Sequence, residues 1–121
     1  MESRRKQILV VDDEEDILVF LRALLEDEGY TVTTTDKGEY VEKLYNGALP
    51  DLILLDILLS GKDGRAIAKQ LKSQEETRHI PILMMSAHPS AERTAREAGA
   101  EGFLPKPFDI DALLTKIANY L

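Results

Sequence analysis

The stretch ILVVDDEED, residues 8–16, decides the fold class of this chain. Four apolar residues, Ile8 to Val11, run directly into five consecutive acidic residues that end at Asp16. A short apolar run bounded by polar residues is typical of a strand that is covered on both faces in a parallel sheet. The acidic residues then follow the carboxyl end of that strand, which is where open parallel sheets bind their ligands. The stretch therefore predicts an α/β fold with an acidic ligand site.

The same pattern recurs along the chain, with helical segments in between. Apolar runs of similar character lie at 51–56 (DLILLD) and 80–86 (IPILMMS), the segment 30–35 (YTVTTT) is rich in β-branched residues, and EGFLP at 101–105 predicts a last short strand. Apolar residues spaced by three and four predict helices at 17–25, 39–45, 66–71, 90–98 and 109–121. Five strands, each followed by a helix, indicate a doubly wound five-stranded parallel sheet with helices on both faces.

Length and composition are those of one acidic globular domain spanning residues 1–121. The chain has 121 residues, 44% of them hydrophobic, and a formal net charge of -7. This charge argues against direct binding of nucleic acid and favours cations or basic protein surfaces. The lack of cysteine excludes thiol nucleophiles, disulfides and thiolate metal sites. No stretch has the roughly 18 to 20 apolar residues of a membrane span, and no signal-peptide pattern is present, so we expect a cytoplasmic protein without a membrane partner.

Polar residues at the predicted strand ends should meet at one edge of the sheet. Asp12 and Asp13 follow the first strand, Asp56 ends the third, Ser86 ends the fourth and Lys106 follows the fifth. Carboxylates packed together raise the pKa of at least one of them unless a cation is present. An acidic, oxygen-only cluster suits Mg²⁺, while a lysine and a hydroxyl suit phosphoryl oxygens. The sequence therefore predicts a site for Mg²⁺ and a phosphoryl group.

These motifs, in this order, resemble the receiver domain of two-component response regulators. The resemblance runs through ILVVDDEED, DLILLDILLSGKDG, PILMMSAH and AGAEGFLPKPF, which together cover essentially the whole chain. It implies a flavodoxin-like fold with strand order 2-1-3-4-5. It also implies that Asp56 accepts a phosphoryl group from a phosphohistidine on a histidine kinase or a histidine phosphotransfer protein. It also implies a signalling switch that catalyses only its own Mg²⁺-dependent phosphorylation and autodephosphorylation. A receiver-like interaction module that no longer depends on phosphorylation is the alternative.

The resemblance also implies which residues would hold the metal. Asp13, Asp56 and the backbone carbonyl of Leu58 would bind Mg²⁺ directly, and Asp12 would hold it mostly through water. In the family, the positions of Leu58 and His88 flank the path of an attacking water. An apolar Leu58 therefore predicts slow loss of the phosphoryl group, which His88 offsets if it positions a water molecule.

The remaining implied roles concern the phosphoryl group and the output. Ser86 and Lys106 would bind the phosphoryl oxygens, and Phe103 would be the aromatic switch residue, turning from exposed to buried as Ser86 moves inward. The signal would leave through the face formed by residues 90–121, where a downstream protein binds; a homodimer is a further assembly that the resemblance allows. The segment 90–98 has few large apolar residues, so we expect it to be mobile until phosphorylation or a partner orders it.

Each of these residues also has an ordinary structural explanation. Acids at 12–16 can simply begin a helix, Asp56 and Ser86 can cap or turn a strand end, Lys106 can be a solvated lysine and Phe103 can be core. The proline after Lys106 favours an inward lysine, because a cis peptide there could aim it at the site. His79 and His88 lack a second histidine at ligand spacing, so we do not expect either of them to bind a metal ion. Gly61 and Gly64 are typical of a loop and turn.

Other folds and activities fit the sequence less well. A haloacid dehalogenase phosphatase needs an acid two residues after its nucleophile, where this chain has Leu58. A flavodoxin-like flavin carrier needs a Ser/Thr-rich loop after the first strand, and a nicotinamide-binding fold needs G-x-G-x-x-G there. Two departures from the receiver pattern remain: Ser60 stands where proline is common, and the segment from Ser86 to Lys106 is a residue or two short.

Overall fold

The protein is described by a computed structural model over residues 5–42, 49–59, 61–88 and 90–121. Seven strands and five helices lie in these residues, in the following order: β1 (Gln7–Val11), α1 (Glu15–Asp27), β2 (Thr31–Thr35), α2 (Gly38–Glu42), β3 (Leu52–Asp56), β4 (Leu58–Leu59), β5 (Lys62–Asp63), α3 (Gly64–Ser73), β6 (Ile82–Ser86), α4 (Ala91–Glu97), β7 (Gly102–Pro105) and α5 (Ile110–Asn119). None of the helices in this part of the chain is long and apolar enough to cross a membrane.

Five of the strands form one parallel sheet in the order β2-β1-β3-β6-β7. This confirms the predicted five-stranded parallel sheet and its strand order. All five residues of β3 are buried, because the strand has a neighbour on each side and helices over both faces. Asp56, the last residue of β3, pairs in register with Met85 of β6. The central strand therefore ends beside the carboxyl end of its neighbour.

The sheet divides the core into two layers because side chains alternate along each strand. On one face, Leu9, Val11 and Leu55 pack with the buried residues of α2, α3 and α4. On the other face, Ile8 and Val10 pack with those of α1 and α5. Helices thus cover both sides of the sheet, as the doubly wound prediction requires, and the carboxyl ends of the strands lie at an edge between the two layers.

Some boundaries differ from those predicted. The third apolar run starts its strand at Ile82, because Pro81 has no N–H to give to a sheet ladder. The helix predicted at 90–98 covers Ala91–Glu97. The helix predicted at 39–45 is seen as Gly38–Glu42, and its last three residues lie outside the described part of the chain.

A short antiparallel hairpin, β4 with β5, follows the central strand and was not predicted. Its strands have two residues each, too few to produce a periodic pattern. Gly61 lies in the turn with φ of 75°, a left-handed conformation that glycine adopts without a steric penalty. The role of Gly61 as a turn glycine is therefore confirmed, whereas Gly64 begins α3.

Candidate functional site

The predicted site residues meet at the carboxyl edge of the sheet. Asp12, Asp13 and Asp56 each offer a carboxylate oxygen, and these oxygens lie within 4.8 Å of one another. A cleft of about 410 Å³ opens beside them, and its lining residues are Asp13, Glu14, Asp56, Leu58, Ser86, Ala87, His88 and Lys106. The structure thus brings together the carboxylates, the hydroxyl and the amine that sequence analysis placed at the strand ends.

Lys106 forms the charged centre of the site. Its Nζ atom donates to Asp12 Oδ2 at 2.7 Å and lies 3.7 Å from Asp56 Oδ2 and 3.5 Å from Glu14 Oε1. Burial acts to lower the pKa of Lys106, but the hydrogen bond and negative charge of Asp12, with the charges of Asp56 and Glu14, outweigh it and raise the pKa. The lysine is therefore a permanent positive charge beside the carboxylates, and the peptide bond that follows it, to Pro107, is cis.

Asp12 is the most deeply buried member of the site. Its side chain is fully buried, and its other oxygen, Oδ1, accepts the backbone N–H of Glu14 at 2.9 Å. A buried carboxylate needs such partners, since losing one would leave an uncompensated charge. Asp12 does not cap α1, whose N-cap residue is Glu14, without a side-chain capping bond. The helix-start explanation therefore applies to Glu15 and Asp16, in the first turn of α1, and not to Asp12.

Asp56 is hard to ionise in this arrangement. Burial, and after it the negative charge of Asp12, raise the pKa of Asp56 from 3.8 to about 6. Lys106 and a hydrogen bond from the Leu58 backbone act in the opposite direction but only offset part of the rise. A cation placed among these carboxylates would remove the penalty. The donor set, three carboxylates within reach of one ion, therefore fits a hard divalent cation such as Mg²⁺.

The β4–β5 hairpin aims the backbone of Leu58 at the site. The Gly64 N–H donates to the Ile57 carbonyl at 2.7 Å, and Leu58 pairs with Asp63 in the next position of the ladder. Since hydrogen-bonded and non-hydrogen-bonded pairs alternate in an antiparallel ladder, the peptide groups of Leu58 point away from β5. The Leu58 side chain is 70% exposed at the rim of the cleft.

Gly64 allows the hairpin to close against the central strand. A Cβ atom at this position would lie 2.2 Å from the Asp56 carbonyl oxygen and 2.9 Å from that of Ile57. Both atoms belong to the backbone, so neither can move aside as a flexible side chain could. Glycine is thus required at position 64 because the backbone of Asp56 and Ile57 lies too close for a Cβ atom. The motif SGKDG did not reveal this reason.

Ser86 connects the strand ends on the other side of Asp56. Its hydroxyl oxygen accepts the backbone N–H of His88 at 3.0 Å, and its carbonyl accepts the backbone N–H of Lys106 at 2.9 Å. A hydroxyl that accepts one hydrogen bond can still donate its own proton. Ser86 and Lys106 are therefore held side by side, each with a donor to offer to the cleft.

Phe103, the predicted aromatic switch residue, is 7% exposed in this structure. Its turn from exposed to buried on phosphorylation stays a prediction. The ring belongs to the same buried cluster as Ala91 and Ala95 of α4. The small alanine side chains leave room for an aromatic ring between helix and sheet, so the ring is already buried.

Two residues of the cleft, Glu14 and His88, make contacts that sequence analysis did not predict. Glu14 had been grouped with the helix-start acids, yet its carboxylate reaches Lys106. His88, weighed only as a residue that could position water, also contributes Nδ1 to hydrogen bonds with Ser90. Their positions in the sequence could have indicated these contacts, because Glu14 stands two residues after Asp12 and His88 two residues after Ser86.

Comparison with known proteins gives the family context of this geometry. The model of the response regulator receiver domain family matches residues 8–118. The phosphate regulon transcriptional regulatory protein PhoB of Rhizobium meliloti is 35% identical over 117 residues, which are 95% of this chain and 52% of PhoB. The polar-differentiation response regulator DivK of Brucella ovis is 34% identical over 118 residues, 96% of each chain. The chain thus spans about half the length of PhoB and nearly all of DivK.

Solved structures agree with these matches. The chemotaxis response regulator CheY4 of Vibrio cholerae has a TM-score of 0.88 at 29% identity, covering 98% of this chain and 100% of its own. The receiver domain of the sensor histidine kinase PA1611 from Pseudomonas aeruginosa has a TM-score of 0.85 at 28% identity, covering 97% and 98% of the two chains. The PA1611 domain was solved with a magnesium ion coordinated in its active-site cleft.

Proposed function

The chain belongs to the response regulator receiver domain family of two-component signalling systems, and from this premise we propose that Asp56 is its phosphorylation site. One observation carries the proposal. Asp56 ends the central strand, lies among the carboxylates of the site, and has the Lys106 ammonium group 3.7 Å from its Oδ2 atom at the edge of an open cleft. Among the described residues, Asp12 lies closer to Lys106, at 2.7 Å, but its side chain is fully buried and does not line the cleft, whereas Asp56 does.

The proposed reaction transfers a phosphoryl group from a phosphohistidine nitrogen to an Asp56 carboxylate oxygen. The N–P bond breaks, an O–P bond forms, and the nitrogen keeps the electron pair of the broken bond. The transition state is loose, with charge spread over the equatorial oxygens of the phosphoryl group. Lys106 and the Ser86 hydroxyl would donate hydrogen bonds to these oxygens, and such positioned donors would supply most of the transition-state stabilisation.

Mg²⁺ is part of the proposal. Asp13, Asp56 and the Leu58 carbonyl would hold it directly and Asp12 mostly through water, and its charge would neutralise phosphoryl oxygens during transfer. Support comes from the clustered carboxylates and from the raised pKa of Asp56, whose ionisation a cation would favour. Lys106 lies 2.7 Å from Asp12 and 3.7 Å from Asp56, so Asp56 has the weaker ion pair of the two.

The partners are proposed from the family and from the surface of the domain. A histidine kinase or a histidine phosphotransfer protein would supply the phosphoryl group, and a downstream protein would bind the face formed by residues 90–121. A homodimer is a further assembly that we propose, without assigning a face to it. We also propose a cytoplasmic location, autodephosphorylation, and no direct contact with nucleic acid or membrane. PhoB is about twice as long as this chain, so the activity of a whole regulator lies beyond the proposal.

Mass spectrometry of the intact protein tests the phosphorylation site. After incubation with acetyl phosphate and Mg²⁺, we expect one added phosphoryl group on the wild type and none on Asp56→Asn. Asp111→Asn, the same substitution at an exposed position in the first turn of α5, is the matched control and should be labelled like the wild type. A folded wild type that stays unmodified would refute the proposal and favour the phosphorylation-independent interaction module. Labelling of Asp56→Asn at the usual stoichiometry would place the site elsewhere.

A further inference from the structure

The loop between β6 and α4 carries a chain of hydrogen bonds that the proposed transfer reaction does not use. It starts at the Ser86 hydroxyl, which accepts the His88 backbone N–H at 3.0 Å. The His88 Nδ1 atom lies 3.3 Å from the backbone nitrogen of Ser90, which donates to it, and 2.8 Å from the Ser90 hydroxyl oxygen. The His88 carbonyl accepts the backbone N–H of Ala91 at 3.1 Å. His88 thus connects the proposed phosphoryl-binding hydroxyl with the first residue of α4.

The hydrogen bond from Ser90 determines the protonation state of the His88 ring in this arrangement. A backbone N–H can only donate, so Nδ1 must offer a lone pair, and the neutral ring carries its proton on Nε2. A second proton would have to bind at Nδ1. It would displace the Ser90 N–H and turn the Ser90 hydroxyl into an acceptor. Protonation of His88 therefore releases the Ser90 N–H from the ring.

His88 shares the cleft with charged groups of three other elements of the fold. They are Asp13 and Glu14 before α1, Asp56 at the end of β3 and Lys106 after β7. On α4, one turn beyond His88, the Glu92 carboxylate is held by Arg96 at 2.7 Å.

The strand order places a metal ion and a phosphoryl group at different distances from His88. In the sheet, β3 lies between β1, which leads into Asp12 and Asp13, and β6, which leads into Ser86 and His88. A cation held between β1 and β3 is on the far side of Asp56 from the His88 loop. A phosphoryl group on Asp56 that is bound by Ser86 is on the near side. His88 should therefore respond to the negative charge of the phosphoryl group more than to the charge of the metal ion.

We propose that His88 links proton binding to the occupancy of the phosphoryl site: negative charge on Asp56 favours the doubly protonated ring, which releases the Ser90 N–H from Nδ1. This inference rests on the proposed function, since it requires phosphorylation at Asp56. The physical reason is electrostatic, because a nearby anion stabilises the imidazolium form, and histidine titrates close to neutral pH. By thermodynamic reciprocity, a lower pH must favour occupancy of the phosphoryl site.

Proton NMR of the two histidines tests this directly. The ring resonances of His88 and His79 are titrated with Mg²⁺ alone and with Mg²⁺ plus beryllofluoride, a mimic of the phosphoryl group. Beryllofluoride should raise the midpoint of the His88 titration by about half a pH unit to one unit, the size expected for one charge across a solvated cleft. His79 precedes β6 at the opposite end of the sheet and is the internal reference, whose midpoint should not move. The backbone amide resonance of Ser90 should shift with the same midpoint as His88.

A second measurement uses a variant that keeps the hydrogen bond but cannot titrate. In His88→Asn, the amide oxygen can accept the Ser90 N–H in place of Nδ1. When the pH falls from about 8 to about 6, the beryllofluoride affinity of the wild type should rise about threefold more than that of His88→Asn. The variant corrects for the pH dependence of the reagent itself. Equal pH dependence in the two proteins would contradict the link.

The outcomes separate this inference from the function on which it rests. If beryllofluoride perturbs Asp56 but the midpoint of His88 stays where it is with Mg²⁺ alone, the role of His88 is refuted and the phosphorylation site stands. If the Ser90 amide does not follow the His88 titration, the release of the Ser90 N–H is refuted. If beryllofluoride does not bind at Asp56, both the inference and the proposed function fail.

Discussion

Replacing Asp56 by asparagine should stabilise the metal-free protein at neutral pH. The folded protein holds Asp56 at a pKa of about 6 instead of 3.8, chiefly because of burial and then because of the Asp12 charge. At about 1.4 kcal/mol for each pKa unit, this rise corresponds to at most about 3 kcal/mol of lost stability when Asp56 is ionised. The cleft is open to water, so screening should reduce the effect to about 1–2 kcal/mol.

The pH dependence has a defined sign. The folded state binds the Asp56 proton more tightly than the unfolded state, so the stability contributed by this group is fully present below pH 3.8 and is lost as the pH rises to about 6. Asparagine has no such loss. The stability advantage of Asp56→Asn should therefore be full above about pH 6, shrink between about pH 6 and 4, and disappear below.

Urea unfolding with a chelator present measures this difference at about pH 7.5, 6 and 4. Comparing the two proteins at each pH cancels the titration of the groups that do not interact with Asp56. Asp13→Asn is the matched control, because it removes an exposed carboxylate of the same cluster and should stabilise the protein less. Addition of Mg²⁺ at about a hundred times the dissociation constant should reverse the order, because binding then adds about 2.7 kcal/mol to the wild type and less to Asp56→Asn. An advantage that is absent at pH 7.5, or equal at every pH, would refute the account of a strained buried carboxylate.

Three further predictions concern the hairpin, the cleft and α4. In thermal unfolding, Gly64→Ala should lose about 2–4 kcal/mol of stability and its stabilisation by Mg²⁺, because the added Cβ would overlap the Asp56 carbonyl. The control Gly61→Ala is strained only by its positive φ and should lose about 1–2 kcal/mol. Leu58→Asn should shorten the lifetime of the aspartyl phosphate, since a polar side chain at the rim can orient an attacking water; a wild type that decays as fast as the variant would contradict this. Hydrogen exchange over 91–99 should slow when beryllofluoride binds, and equally high protection with and without it would exclude the proposed ordering.

Much of the site was open to prediction because parallel strands share a direction. Once ILVVDD, DLILLD and PILMMS are assigned as buried strands, their carboxyl ends must lie at one edge, so Asp12, Asp56 and Ser86 meet without knowledge of any distance. The order of the strands followed from the receiver resemblance, and the structure confirms it. The specific roles of these residues remain proposals that the experiments above can decide.

Contacts between residues far apart in sequence were beyond prediction. The sequence showed an amine at Lys106, but not that its nearest carboxylate is Asp12, 94 positions away, with Asp56 a further ångström off. The burial of Phe103 also depends on how closely the alanines of α4 let the helix approach the sheet.

The sequence by itself determined the fold class, the edge of the sheet that carries the site and the residue types available there. These follow from local periodicity and from the common direction of parallel strands, which short segments encode. Only the tertiary structure decided that Lys106 is shared by Asp12, Glu14 and Asp56, that Gly64 must lack a Cβ, and that His88 bonds to Ser90. The physical reason is that pairing, close approach and hydrogen bonding depend on distances of a few tenths of an ångström, which are set by the packing of the whole domain.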